Sequence, residues 1–166
     1  MIRLLDKETE MHLLEQLFDL LHENMSVIAP SQLPYAEEKQ QWLSEVAPAL
    51  AKAPRQIVLM YDAAGLAGYL QYYVNKGLFM VEEIQLRKDR RVSSCIVSLW
   101  KFLSRILPED VHTIEAYADP RNQLSRKLMA KLGMEVIEDR SCGNLLHYRG
   151  RMDVLRTKKA SPGGRY

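Results

Sequence analysis

The chain has 166 residues, 47% of them apolar and 27% charged, a mixture that folds as one domain of ordinary size and excludes a disordered chain. The formal net charge of +2, with acids and bases interspersed, excludes the whole-chain basic field that marks many nucleic-acid binders. The two cysteines, Cys95 and Cys142, lack CxxC spacing, so neither a disulfide framework nor a zinc site is expected, and no metal is assigned.

The N-terminus, Met1-Ile2-Arg3-Leu4-Leu5-Asp6, meets an acid too early for a secretory signal. No apolar run reaches the ~20 residues that span a bilayer, so the expected location is cytoplasmic with no membrane partner. Ile2 to Leu5 reads as a strand, and Asp6 as the N-cap of a helix with Leu14, Leu17, Phe18, Leu21 and Met25 on one face. Pro30 and Pro34 bracket a turn. A second helix runs from Tyr35 to about Lys52, with Trp42, Leu43, Val46 and Leu50 inward and Pro48 interrupting its ladder.

Arg55 to Asp62, Leu66 to Val74 and Leu78 to Arg87 are rich in strand formers and separated by Ala63-Ala64-Gly65 and Asn75-Lys76-Gly77. They read as an antiparallel meander. A third helix follows, carrying Val92, Ile96, Leu99, Trp100, Leu103 and Ile106 until Pro108 stops it. Val111 to Ala118 returns to strand character. Asp119-Pro120 then opens a helix whose apolar face is Leu124, Leu128 and Leu132, ended by Gly133. Met134 to Ile137 and Leu145 to Tyr148 are the last two strands. Residues 1–150 make one domain of order β-α-α-β-β-β-α-β-α-β-β, and 151–166 a basic, flexible tail.

Two stretches carry chemistry. In Val81-Glu82-Glu83-Ile84-Gln85-Leu86-Arg87-Lys88-Asp89-Arg90-Arg91-Val92-Ser93-Ser94-Cys95-Ile96 a strand feeds a turn and a helix start, where unpaired N–H groups and the helix dipole suit an anion. Ser93 and Ser94 add hydroxyl donors. In Glu115-Ala116-Tyr117-Ala118-Asp119-Pro120-Arg121-Asn122-Gln123-Leu124-Ser125 through Lys131-Leu132-Gly133-Met134, a strand leads into an amide-started helix.

Together with the element order, these stretches resemble the GCN5-related N-acetyltransferase (GNAT) superfamily. The first is similar to the family's fourth strand, pyrophosphate turn and coenzyme helix, with Arg91 at the first motif position and Ser94 and Ile96 at the small-residue positions. The second is similar to its fifth strand and following helix, with Asn122, Ser125, Lys131, Gly133 and Met134 on the matching positions. The resemblance implies a mixed α/β fold around a mostly antiparallel sheet of about seven strands. It also implies acetyl-coenzyme A as co-substrate, with an amine-bearing small molecule or peptide as acceptor.

By that resemblance the coenzyme lies against Arg91, Val92, Ser93, Ser94, Cys95 and Ile96, its pantetheine arm runs along Gln85, Leu86 and Arg87, and Asn122 and Ser125 reach the arm. For Asn122 a helix-capping role is an equal alternative. Many family members use a Glu on the fourth strand and a Tyr on the helix after the fifth; this chain has Glu82 and Glu83 on the strand and Met129 at the Tyr position. Ser125, Tyr117, and Tyr72 or Tyr73 are substitute donors. Because strand neighbours face opposite ways, only one of Glu82 and Glu83 is expected at the substrate, and a surface ion pair is the commoner use of such a carboxylate. Cys95 is expected to pack rather than react, and His112 to lie at the surface.

The activity implied is N-acetyl transfer, and the alternative is a non-catalytic binding or regulatory module of the same fold, which Met129 and the missing motif glycines favour. The cluster Arg87, Lys88, Arg90 and Arg91 suits phosphate, yet it coincides with the pyrophosphate turn, so the coenzyme explains it without nucleic acid. Acceptor choice is expected from Ala29 to Pro34 and Arg140 to Asn144. The sheet's exposed edges suit a homodimer.

Overall fold

The computed structural model describes residues 1–52, 54–90, 94–137 and 143–157. In chain order the elements are β1 (Ile2–Leu4), α1 (Leu14–Met25), α2 (Tyr35–Lys52), β2 (Arg55–Asp62), β3 (Gly65–Asn75), β4 (Leu78–Leu86), α3 (Ser94–Ile106), β5 (Thr113–Ala118), α4 (Gln123–Lys131), β6 (Glu135–Ile137), β7 (Leu146–Arg151) and α5 (Met152–Thr157). The strands join in one seven-stranded sheet of order β1-β2-β3-β4-β5-β7-β6. Every pairing is antiparallel except β4 with β5, which the crossover through α3 makes parallel. The mixed α/β class and the element order expected from the sequence are both present.

Strand alternation sends side chains to two faces, and each face has its own core. One face carries Val58, Met60, Leu70, Tyr72, Phe79, Val81, Ile114, Ala116 and Tyr148, covered by Leu99 and Leu103 of α3 and Met129 of α4. The other carries Ile57, Leu59 and Tyr69, covered by Leu14, Leu17 and Leu20 of α1 and Val46 and Leu50 of α2. Each fully buried leucine contributes about 1.5–3 kcal/mol. The α1/α2 face is apolar over β2 and β3 and becomes polar toward β4, β5 and β7; that polar half is where chemistry-bearing residues gather.

Several local expectations need correction. Asp6 does not cap α1: its carboxylate accepts from the Glu8 N–H at 2.9 Å and the Thr9 hydroxyl at 2.7 Å, closing a turn, and α1 starts only at Leu14, after a 3-10 turn at Met11–Leu13. In α4 the buried residue is Met129, whereas Leu124 is 50% exposed; Met129 and Leu132 take the inward face, which leaves Leu124 outside it. Residues 151–157 carry the end of β7 and α5. β7 runs to Arg151, Met152 enters the core, and the Arg156 guanidinium donates to the carbonyls of Pro108 and Glu109 at 2.9 and 3.2 Å. Residues 158–166 lie outside the described residues.

Candidate active site

β4 and β5 separate partway along their length. Their pairing covers Leu78 to Val81 against Thr113 to Ala116, while β4 continues to Leu86 and β5 to Ala118. Beyond Val81, β4 is held by β3 alone among the described residues. Arg87 N–H donates to Ala67 C=O at 2.9 Å, and Gly68 is the residue opposite Leu86. Antiparallel alternation then makes Tyr69–Gln85 an exchanging pair and turns the main-chain groups of Leu86 and Ile84 away from β3, into the fork. Of the expected pantetheine edge, Leu86 has this geometry; the main chains of Gln85 and Arg87 are engaged with β3. Gly68 allows the approach, since a Cβ there would lie 2.4 Å from the Gln85 carbonyl oxygen.

The head of the fork is a bulge. Tyr72 pairs with Val81 and Gln71 with Glu83, so Glu82 is one residue too many on β4. The expectation that Glu82 and Glu83 face opposite ways therefore fails: both carboxylates reach the α1/α2 face. Glu82 accepts from Arg55 Nε at 2.7 Å with each oxygen and from Gln71 Nε2 at 3.1 Å; it is an ion-pair partner. Glu83 has no such cation among the described residues. It accepts from the Tyr69 hydroxyl at 2.7 Å and Gln85 Nε2 at 3.2 Å. Burial pushes its carboxyl above the ordinary range, and the bonds from Tyr69 and Gln85 only partly oppose that. Gln85 in turn accepts from Asn24 of α1 at 2.9 Å, and Asn24 also donates to Leu86 C=O at 3.0 Å. A hydrogen-bonded chain thus connects the fork's open edge to Glu83. Beside it, the buried Gln71 Oε1 has no hydrogen-bond partner among the described residues.

Across the fork, Tyr117 is the first β5 residue past the last rung with β4, on the same face as Glu115. Its ring stacks on His147 of β7 at 4.3 Å between centroids and 21° between planes. His147 Nε2 lies 2.8 Å from Glu115 Oε2, and Arg149 Nε donates to Glu115 Oε1 at 2.6 Å. Of the two tyrosine alternatives on β3, Tyr72 is buried in the α3/α4 core with its ring tilted against Phe79, whereas Tyr73 faces the α1/α2 side, its ring under Arg55.

Arg91, Val92 and Ser93 lie outside the described residues, as do Arg140, Ser141 and Cys142 of the expected acceptor loop. α3 begins at Ser94, which is exposed, and has no acid in its first turn to compete with an anion. Cys95 packs against the α3/α4 core and Ile96 is partly exposed. The basic run before the helix is largely paired: Arg87 and Arg90 reach Asp62 at 3.2 and 2.7 Å, and Lys88 reaches Glu23 at 3.3 Å. Asn122 caps α4, its Oδ1 accepting from Ser125 N–H at 3.1 Å. His112 is exposed. Sequence reading missed Asn24, Tyr69, Gln71, Glu115 and His147. For the four on strands the signal was polar residues at alternate positions of strands otherwise apolar, and for Asn24 it was an amide on the buried side of α1.

This fold, with a sheet that splays beyond a bulge on its fourth strand, is shared with solved N-acetyltransferases. Solved structures of similar fold include an acetyltransferase from Thermus thermophilus, 15% identical over 90% of this chain and 96% of that one, with a TM-score of 0.68. The PaiA N-acetyltransferase of Thermoplasma acidophilum in complex with coenzyme A is 14% identical over 91% of this chain and 98% of that one, at 0.65. An aminoglycoside 6'-acetyltransferase type Ii is 17% identical over 92% and 97%, at 0.66. No protein-family model matches the sequence, and no curated protein does.

Proposed function

We propose that the chain is an acyltransferase that moves an acetyl group from acetyl-coenzyme A to an amine of a small molecule or peptide, in the fork between β4 and β5. The observation that carries this reading is the fork itself: an open strand edge that ends at a carboxyl raised by burial. The residues fit the coenzyme. Leu86 and Ile84 present main-chain groups to an amide-bearing arm, and α3 presents a helix start free of acids to phosphate. One similar structure was solved with coenzyme A, and another is named for acetylating an aminoglycoside, which supports the same chemistry here.

Bound acetyl-coenzyme A would supply an activated acyl group as a thioester. The chain's part is proton handling and placement. Glu83, its carboxyl raised by burial, takes a proton from the incoming ammonium so that a neutral amine reaches the carbonyl. Tyr117, across the fork, is the donor toward sulfur. Glu82 neutralises Arg55 and keeps that cation away from the amine.

A non-catalytic module of the same fold is the second reading, favoured by the burial of Met129 in the core, where many family members carry a donor tyrosine. Calorimetric titration of acetyl-coenzyme A separates the possibilities, with Ser94→Asp as the control for the phosphate end. Binding that the variant loses, followed by thiol release in an amine screen, supports the enzyme. Binding without thiol release supports the module, and no binding by the parent chain sinks both as coenzyme readings.

A further inference from the structure

We propose that His147, held by Glu115, is a positioning residue that fixes the Tyr117 hydroxyl at the head of the fork as the hydrogen-bond donor to the coenzyme's sulfur. This rests on the acyltransferase reading above. The usual donor position holds Met129, 4% exposed within the α3/α4 core, so a donor has to come from another element. By register, the step after the Val81–Ala116 rung sets Tyr117 opposite the bulged Glu82, on the face that Glu83 shares.

What surrounds Tyr117 is unusual for a sheet surface. Glu115 and His147 are 7% and 5% exposed, and burying such polar groups is costlier than burying an apolar pair. Their hydrogen bond of 2.8 Å fixes the imidazole plane, and Arg149, 2.6 Å from the other carboxylate oxygen, fixes Glu115. The Tyr117 ring lies against that plane at 4.3 Å, which restricts its torsion as a locked second layer restricts a reacting group. In the transfer step the neutral amine nitrogen bonds to the thioester carbon, the carbon–sulfur bond breaks and its electron pair stays on sulfur. The Tyr117 O–H proton passes to sulfur to form the thiol, and the phenolate regains a proton from water.

Coenzyme A itself is the probe, because a donor aimed at sulfur favours the thiolate and lowers the thiol's pKa. The ultraviolet absorbance of the thiolate is titrated against pH on coenzyme A bound to the parent chain and to Tyr117→Phe, His147→Ala and Glu115→Gln, with calorimetry for affinity. The expected result is a thiol titrating about one unit below a free thiol at ~8.5 on the parent chain, with the shift abolished in Tyr117→Phe. In His147→Ala most of the shift is lost while affinity stays within about threefold, and Glu115→Gln, which can still bond the imidazole, keeps part of it. Binding with no thiol shift in the parent, or a full shift in His147→Ala, overturns the proposal and leaves the coenzyme site standing. Absence of coenzyme binding by the parent overturns the acyltransferase reading with it. If His147→Ala does not fold, judged by its thermal transition, the Tyr117→Phe and Glu115→Gln titrations decide.

Discussion

Replacing Met129 with tyrosine puts a phenol at the point of α4 where the resemblance read from the sequence expects a donor, and the structure says that it will not make one. Met129 is 4% exposed and belongs to the cluster that holds Leu99, Ala116, Ala118 and Met134. A phenol is larger and less pliable than a thioether chain, and overfilling a packed core costs about 1–3 kcal/mol. Its hydroxyl would enter apolar surroundings without a partner, which costs about 1–3 kcal/mol more. The sum of about 2–6 kcal/mol corresponds to a fall of roughly 5–20 °C in thermal midpoint for a chain of this size. Urea unfolding and calorimetric melting of Met129→Tyr measure it, with coenzyme titration in parallel. A variant that melts with the parent and binds coenzyme more tightly would show that the α4 side chain lines the fork, and the reasoning that moves the donor to β5 would be refuted.

Because burial holds the Glu83 proton more tightly in the folded than in the unfolded chain, Glu83 contributes stability that is complete below its ordinary value of 4.5 and is lost as pH rises through the folded value. Glu83→Gln keeps an acceptor for the Tyr69 hydroxyl, so its stability should decline less with rising pH than the parent's in paired urea titrations, while thiol release falls at least tenfold. Glu10 behaves oppositely: its bonds with Arg3 hold it at about 2, so its contribution is present above 4.5 and lost as pH falls toward about 2. Arg3→Ala should flatten that acid limb of the stability curve. In Gly68→Ala the new Cβ meets main chain rather than a movable side-chain end. The expected outcome is a lower thermal midpoint and weaker coenzyme binding together; a variant that keeps both would mean that β4 can shift without disturbing the fork.

Periodicity made the helices and strands legible because each buries one stripe or one face, and the order of elements followed from them. Boundaries set by capping were less readable: Asp6 and Asn122 are both helix-starting residue types, and only Asn122 caps a helix. The fourth and fifth strands could be placed, as could the carboxylates at Glu82 and Glu83, but not the bulge between them. One extra residue leaves the apolar pattern of β4 almost unchanged while shifting every later side chain from the face that strict alternation assigns. The Glu115–His147–Tyr117 cluster was illegible for another reason. Its members come from β5 and β7, and only the antiparallel register Tyr117–His147 and Glu115–Arg149 brings them side by side.

The bulge at Glu82 lets β4 depart from strict alternation without losing its place in the sheet. Val81 and Ile84 are three residues apart, yet both serve the α3/α4 core, because Glu82 and Glu83 share the other face. Removing Glu82 would leave Val81 opposite Tyr72 and Glu83 opposite Gln71 in an unbroken ladder, so Glu83 and Gln85 would keep their face. What would go is the partner of Arg55: the extra residue adds a second carboxylate beside the first without moving those that follow it.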